Sequence, residues 1–189
     1  MNKRKKEPNK VFNATGKFLQ NACLNTFQDN WETYCGGYKK AADVLVEYVI
    51  EKREHLDELI YPIVFLYRQY IELQLKSIIN ETNRMPRQKK SIPIHHDIVQ
   101  LWDETSSMCK KLLPNIKIKP GAKKIIKEFM KIDPKSDAFR YPTGKNGGQS
   151  ITGLEHINVG LLSARISELE AILDELFFLI RETRKCNLY

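Results

Sequence analysis

Long uncharged apolar runs are missing from this sequence: nowhere do the roughly 18 residues that would span a bilayer follow one another. That excludes a membrane-crossing helix read from hydropathy. Cysteine is scarce as well: Cys23, Cys35, Cys109 and Cys186 lie far apart, with no Cys-x-x-Cys pair. A disulfide framework and a zinc knuckle are therefore not expected, and the thiols read as reduced. Neither a metal nor another cofactor is called for. The opening residues, Met1 to Pro8, carry a basic run with no apolar stretch behind it, so no secretory signal is expected and the predicted location is cytoplasmic. Several familiar catalytic signatures are absent too. There is no Gly-x-Ser-x-Gly elbow, no His-Glu-x-x-His pair and no dinucleotide fingerprint, and Gly144-Lys145 lacks the spacing of a phosphate-binding loop. No internal repeat and no convincing strand emerges.

What is present is a chain of 189 residues, 42% hydrophobic and 10% aromatic, long enough to bury a core in one domain. Lysine and arginine number 31 against 23 acids, a net charge of +8. Such an excess favours polyanions, through steering and counterion release. It is local: residues 3–10, Arg84 to Lys90, and Lys110 to Lys131, where eight lysines fall. The plainer reading is a solvated surface behind a basic tail.

Residues 1–29 lack a clean period and read as that tail followed by a short element. Residues 30–185 read as one all-α domain, a bundle of four to six helices with long antiparallel central helices. From Asn30 to Arg53 apolar residues recur every three to four positions, weakened by Gly36-Gly37. Leu56 to Ile79 carries Ile60, Val64, Tyr67, Ile71, Leu75 and Ile78 on one stripe, widened by Ile63, Leu66, Tyr70 and Leu73. A basic loop from Asn83 to Pro93 follows. A third helix opens at His96-Asp97 with Asp97 as its N-cap, and a fourth spans Ala122 to Ile132. The last is placed from Thr152 to Arg184; its Leu162, Ile166, Leu169, Leu173, Leu176 and Ile180 suit either packing on the central helix or a dimer seam.

Chemistry concentrates at three places. Arg68, Glu72 and Lys76, spaced by four, line one side of a helix whose same sector holds Phe65, Leu75 and Ile79. Charges interleaved with apolar residues are partly buried, and buried charges are costly unless paired. They form a structural network or line a functional cleft. His95-His96-Asp97 opens a helix, where free amides favour anions and a histidine side chain serves as an acid or base. Finally, Arg140 between Phe139 and Tyr141 suits a phosphate or base contact, or else an internal pair with Glu72. His55 and His156 are isolated and read as surface or helix-packing residues.

The stretch Tyr61-Pro62-Ile63-Val64-Phe65-Leu66-Tyr67-Arg68-Gln69-Tyr70-Ile71-Glu72-Leu73-Gln74-Leu75-Lys76, then His96-Asp97, resembles HEPN-type helical proteins. Asp133 to Pro142 also looks like an Asp-Pro-x-Ser…Phe-Arg-Tyr-Pro segment of uncharacterised bacterial proteins of that kind. The resemblance implies a helical bundle, often dimeric, of toxin–antitoxin and antiphage systems, whose active members are metal-independent ribonucleases. The expected ligand is RNA or another phosphate-bearing molecule, and an antitoxin or other protein is the expected partner. On that reading His96, Arg68 and Arg140 are the candidate catalytic residues, with Glu72, Lys76, Asp97 and Tyr141 around the substrate. The Arg-x4-6-His spacing of active members is absent, since seven residues separate Arg87 from His95. A non-catalytic interaction or scaffold module is therefore the other expectation.

Overall fold

The computed structural model describes residues 11–12, 17–24, 30–85 and 91–186. Two compact units divide the chain at Asn30 and Trp31. Within the first, the described residues hold one 3-10 turn, Phe18–Gln20. The basic run at 3–10 and Pro86 to Lys90 lie outside the described residues.

The second unit is all helical: α1 (Trp31–Lys52), α2 (Leu56–Asn83), α3 (Ile98–Leu112), α4 (Gly121–Ile132) and α5 (Val159–Cys186). Among the described residues there is no strand, only an isolated bridge between Thr143 and Gln149. Among the described residues no helix is long and apolar enough to cross a membrane. A three-residue link reverses the chain between α1 and α2, with Arg53 and His55 at φ 55° and 58°. That left-handed backbone is costly outside glycine but turns the chain sharply.

Helix α2 is the central element. Ile63, Tyr67, Ile71, Leu75 and Ile78 are fully buried, because apolar residues cover most of its circumference and α1, α3 and α5 pack on it. Cross-helix bonds fix the directions. Tyr67 donates to Asp43 on α1 and accepts from the Ser163 hydroxyl on α5, while Gln74 donates to Asp174 and Arg184 to Glu81. Positions on α5 thus rise with those on α2, so the two longest helices run parallel, and α1 is antiparallel to α2. Ile166, Leu169, Leu173, Leu176 and Ile180 are all buried in the core, so the heptad-like seam is used within the chain.

A parallel pair needs a return connection. It is supplied by α3, α4 and residues 133–158, which bring the chain back to the first turns of α2. The sequence places the last helix from Thr152, but α5 begins at Val159. Asn158 ends the irregular run, its Oδ1 accepting from the Leu161 N–H at 2.8 Å as an N-cap. Before it, Gly153 sits at φ 70°, and Leu154 and Ile157 pack with Val64, Ala138 and Phe139 in a second apolar cluster. Their apolar character serves this cluster rather than a helical stripe. At its other end α2 runs on through Asn83, four residues past Ile79, so Asn83 is helical rather than part of the loop.

Candidate functional site

The charged file on α2 is buried and internally paired. Arg68 is 0% exposed, and Glu72 and Lys76 are buried beside it. Arg68 Nη1 donates to Glu72 Oε2 at 3.3 Å and Nη2 to the backbone carbonyl of His96 at 2.7 Å. Lys76 Nζ donates to Glu72 Oε1 at 2.9 Å. Burial alone would push the Glu72 carboxyl up; hydrogen bonds from Lys76 and His96, together with their charges, outweigh it and hold the group below its ordinary value. Burial lowers the Arg68 guanidinium from its usual value, against the opposing charges of Glu72 and Asp133. So far this is the internal network of the plainer reading.

His96 opens the network to solvent. Its Nδ1 lies 2.7 Å from Glu72 Oε1, yet its side chain is 67% exposed. The ionised carboxylate accepts, so Nδ1 carries the hydrogen, and in the neutral tautomer that this bond selects Nε2 presents its lone pair to solvent. Two fixtures hold the backbone here. Asp97 Oδ1 accepts from the Val99 and Gln100 N–H groups at 2.9 Å each, capping α3, and Arg68 grips the His96 carbonyl. A carboxylate-oriented imidazole with one nitrogen free is the arrangement a general base needs.

Asp133 links this network to the return segment. It is buried, its Oδ1 accepts from the Asp137 and Ala138 N–H groups at 2.8 and 3.0 Å, and its charge acts on Arg68. The turn it holds carries Phe139 into the second cluster and leaves Arg140 and Tyr141 exposed. Arg140 does not pair with Glu72. Its guanidinium stands 5.6 Å from the Phe65 ring centroid and 5.4 Å from that of Tyr141.

Beside it opens a cleft of about 1000 Å³, lined by the start of α2 and residues 138–157, with Tyr61, Arg140, Tyr141, Glu155 and His156 on its walls. His156 belongs to this cleft, on irregular backbone, rather than to a helix face. Phe65 and Glu72 lie on one side of α2, seven residues apart, and at the α-helical rise this separates Arg140 from His96 by about 10 Å along the axis.

The predicted residues therefore divide. Glu72, Lys76, Arg68 and His96 converge; Asp97 is nearby but occupied as a cap; Arg140 and Tyr141 stand apart from them, on the wall of the neighbouring cleft. Arg68 cannot reach a ligand, because burial closes it off. Among the described residues no group of His, Cys, Asp and Glu side chains could hold a metal ion. Comparison with models of known families, with curated proteins and with solved structures finds no match.

The sequence reading missed a second groove, of about 530 Å³, between α1, α2 and α5. Lys39 is buried there between Asp43 at 2.8 Å and Glu170 at 3.0 Å. The signal was available: Lys39 and Asp43 on α1, like Glu170 and Asp174 on α5, are spaced by four within apolar stripes, as Arg68 and Glu72 are.

Proposed function

We propose that this chain is a HEPN-like protein that binds RNA along the face carrying His96, Arg140 and Tyr141, with His96 as its candidate acid–base group in a toxin–antitoxin or antiphage setting. The observation that carries the reading is the exposed imidazole anchored through Nδ1 to a buried carboxylate. An exposed histidine with no task needs no such support. Arg140, spread against two aromatic rings, offers a guanidinium for phosphate and a tyrosine face for a base. Exposed lysines 110, 111, 117, 119, 124, 127 and 131 on α3, α4 and the link between them add long-range attraction for a polyanion.

In cleavage, His96 Nε2 would take the proton of a ribose 2′-hydroxyl, whose oxygen attacks the adjacent phosphorus and expels the 5′-oxygen, protonated by solvent. The axial separation of about 10 Å assigns Arg140 to a neighbouring phosphate rather than the scissile one. The cations beside His96, Arg68 and Lys76, are both buried and paired with Glu72, so oxyanion stabilisation is thin and RNA binding is better supported than fast turnover. The rival interaction module would need an unused apolar seam, and the α5 seam is buried within the chain.

The test is binding of labelled single-stranded RNA over a salt series, with cleavage followed in EDTA. Phosphate contacts predict affinity that falls steeply with salt and drops in Arg140→Ala. Cleavage lost in His96→Ala, with the fold intact, assigns the base. Salt-independent binding, or none, would end the RNA reading.

A further inference from the structure

The groove between α1, α2 and α5 is chemically unlike the rest of this basic chain. Four carboxylates (Glu32, Asp43, Glu170, Asp174) face three cations (Lys39, Lys40, Arg181) across it. Two of the cations are committed. Lys39 bridges Asp43 and Glu170, and Arg181 pairs with Glu32 at 3.0 Å while lying over the Phe177 ring. Asp174, exposed at the mouth, receives only the neutral Gln74 amide, at 3.0 Å. Burial and then the Glu170 charge push its carboxyl above the ordinary value, against the charge of Lys39.

Two features of the groove's lining bear on what it could hold. Tyr70 lines it and is 3% exposed, yet its hydroxyl has no hydrogen-bond partner. A buried hydroxyl left unpaired costs about 1–3 kcal/mol, and Asp174 and Glu170 are the foremost charges acting on this one. Gly36 also lines the groove, inside α1, where a Cβ would meet nothing within 4 Å. Packing does not require a glycine there. Its effect is to keep the groove open, at a cost in helix propensity of about 1 kcal/mol.

We propose that this groove binds a primary alkylammonium group. The nitrogen donates to the free oxygen of Asp174 and to the Tyr70 hydroxyl oxygen, and the carbon chain lies against Phe177 and Phe178. An ammonium has three N–H donors and no acceptor, which matches a carboxylate and a phenol oxygen that both lack a charged donor. Its alkyl stem suits the half-exposed aromatic wall, and the ring faces favour positive charge. A carboxylate or phosphate ligand would meet the acidic excess and is disfavoured.

Titration of the full chain with n-butylammonium chloride, followed by amide chemical shifts against matched sodium chloride, tests the site. Saturable shifts confined to residues of the groove are expected, and n-butanol should give none. Asp174→Asn and Tyr70→Phe should each weaken binding about tenfold or more, as loss of a hydrogen bond to a charged group predicts. Tyr70→Phe should leave thermal stability intact, because the lost hydroxyl has no partner. Asp174 is exposed, so its variant should fold regardless. Absence of saturation, or undiminished binding in either variant, overturns the proposal. Capped lysine amide binding at least as tightly as n-butylamine would identify the source as a lysine side chain; weaker binding would identify a free amine.

Discussion

His96 Nδ1 sits 2.7 Å from Glu72 Oε1, so one buried carboxylate holds an exposed imidazole and the Lys76 ammonium on the same oxygen. The other oxygen takes Arg68. Glu72 therefore links the core of the bundle to its one solvent-facing histidine of this network, and separating the two roles is the first task for mutagenesis.

Arg68 should be structural. Replacing it by methionine keeps much of the volume but leaves Glu72 and the His96 carbonyl short of a donor and removes the charge opposing buried Asp133. Breaking a buried ion pair by removing one partner costs about 3–5 kcal/mol. Urea denaturation should register that loss. Arg140→Ala, which removes only exposed ring contacts, should cost under about 1 kcal/mol while reducing RNA affinity. Equal, small stability effects of both changes would place Arg68 among accessible residues after all.

The same network sets an acid limit. Glu72 has a folded-state carboxyl below its unfolded value of 4.5, despite burial, because Lys76 and His96 donate to it and add their charges. A depressed acid contributes stability that is fully present above the unfolded value and is lost as pH falls through the folded one. Glu72→Gln should therefore destabilise at neutral pH and narrow its gap from the parent as the medium becomes strongly acidic. Thermal melts of both proteins across that range check the sign.

Much of the fold could be read from residues because local rules and tertiary packing agree. The stripe through Ile63, Tyr67, Ile71 and Leu75 forms a helix at the centre, and Asp97 caps where a short acceptor before an apolar period should. The misplaced start of α5 shows the opposite case: Leu154 and Ile157 are apolar for a long-range contact with Phe139 and Val64, which no local period encodes. The site divides in the same way. Arg68, Glu72 and Lys76 share a helix, so spacing placed them together. Where Arg140 falls depends on Asp133 holding a turn and on the chain returning to the start of α2. The α1–α2–α5 groove joins three helices distant in sequence, and no single window contains it.

Thiol chemistry gives an independent check of the packing. Cys35 and Cys109 are buried, and burial pushes each thiol up to about 12, further aided at Cys35 by Glu32 and Asp174 against its own backbone hydrogen bond. Both should resist alkylation in the native state, since the thiolate is the reactive form. Cys23 and Cys186 are exposed and should react promptly. Mass spectrometry after a brief native pulse should find two labels, and four after denaturation. Rapid native labelling of Cys109 would contradict the α3 packing.

Gly37 tests whether α1 carries a weakness that its fold does not require. It lies inside the helix, is exposed, and a Cβ would meet nothing within 4 Å. Glycine in an exposed helix interior is less favourable than alanine by about 0.8–1 kcal/mol, through the backbone freedom it loses on folding. Gly37→Ala should therefore raise stability by about that amount and leave alkylammonium binding unchanged, because Gly37 does not line the groove. Gly36→Leu should gain on the same helix propensity while placing a branched side chain in the opening, so its binding should fall although its melting temperature does not. If Gly36→Leu binds as well as the parent, the groove is not where the amine sits, whatever Gly37→Ala does to stability.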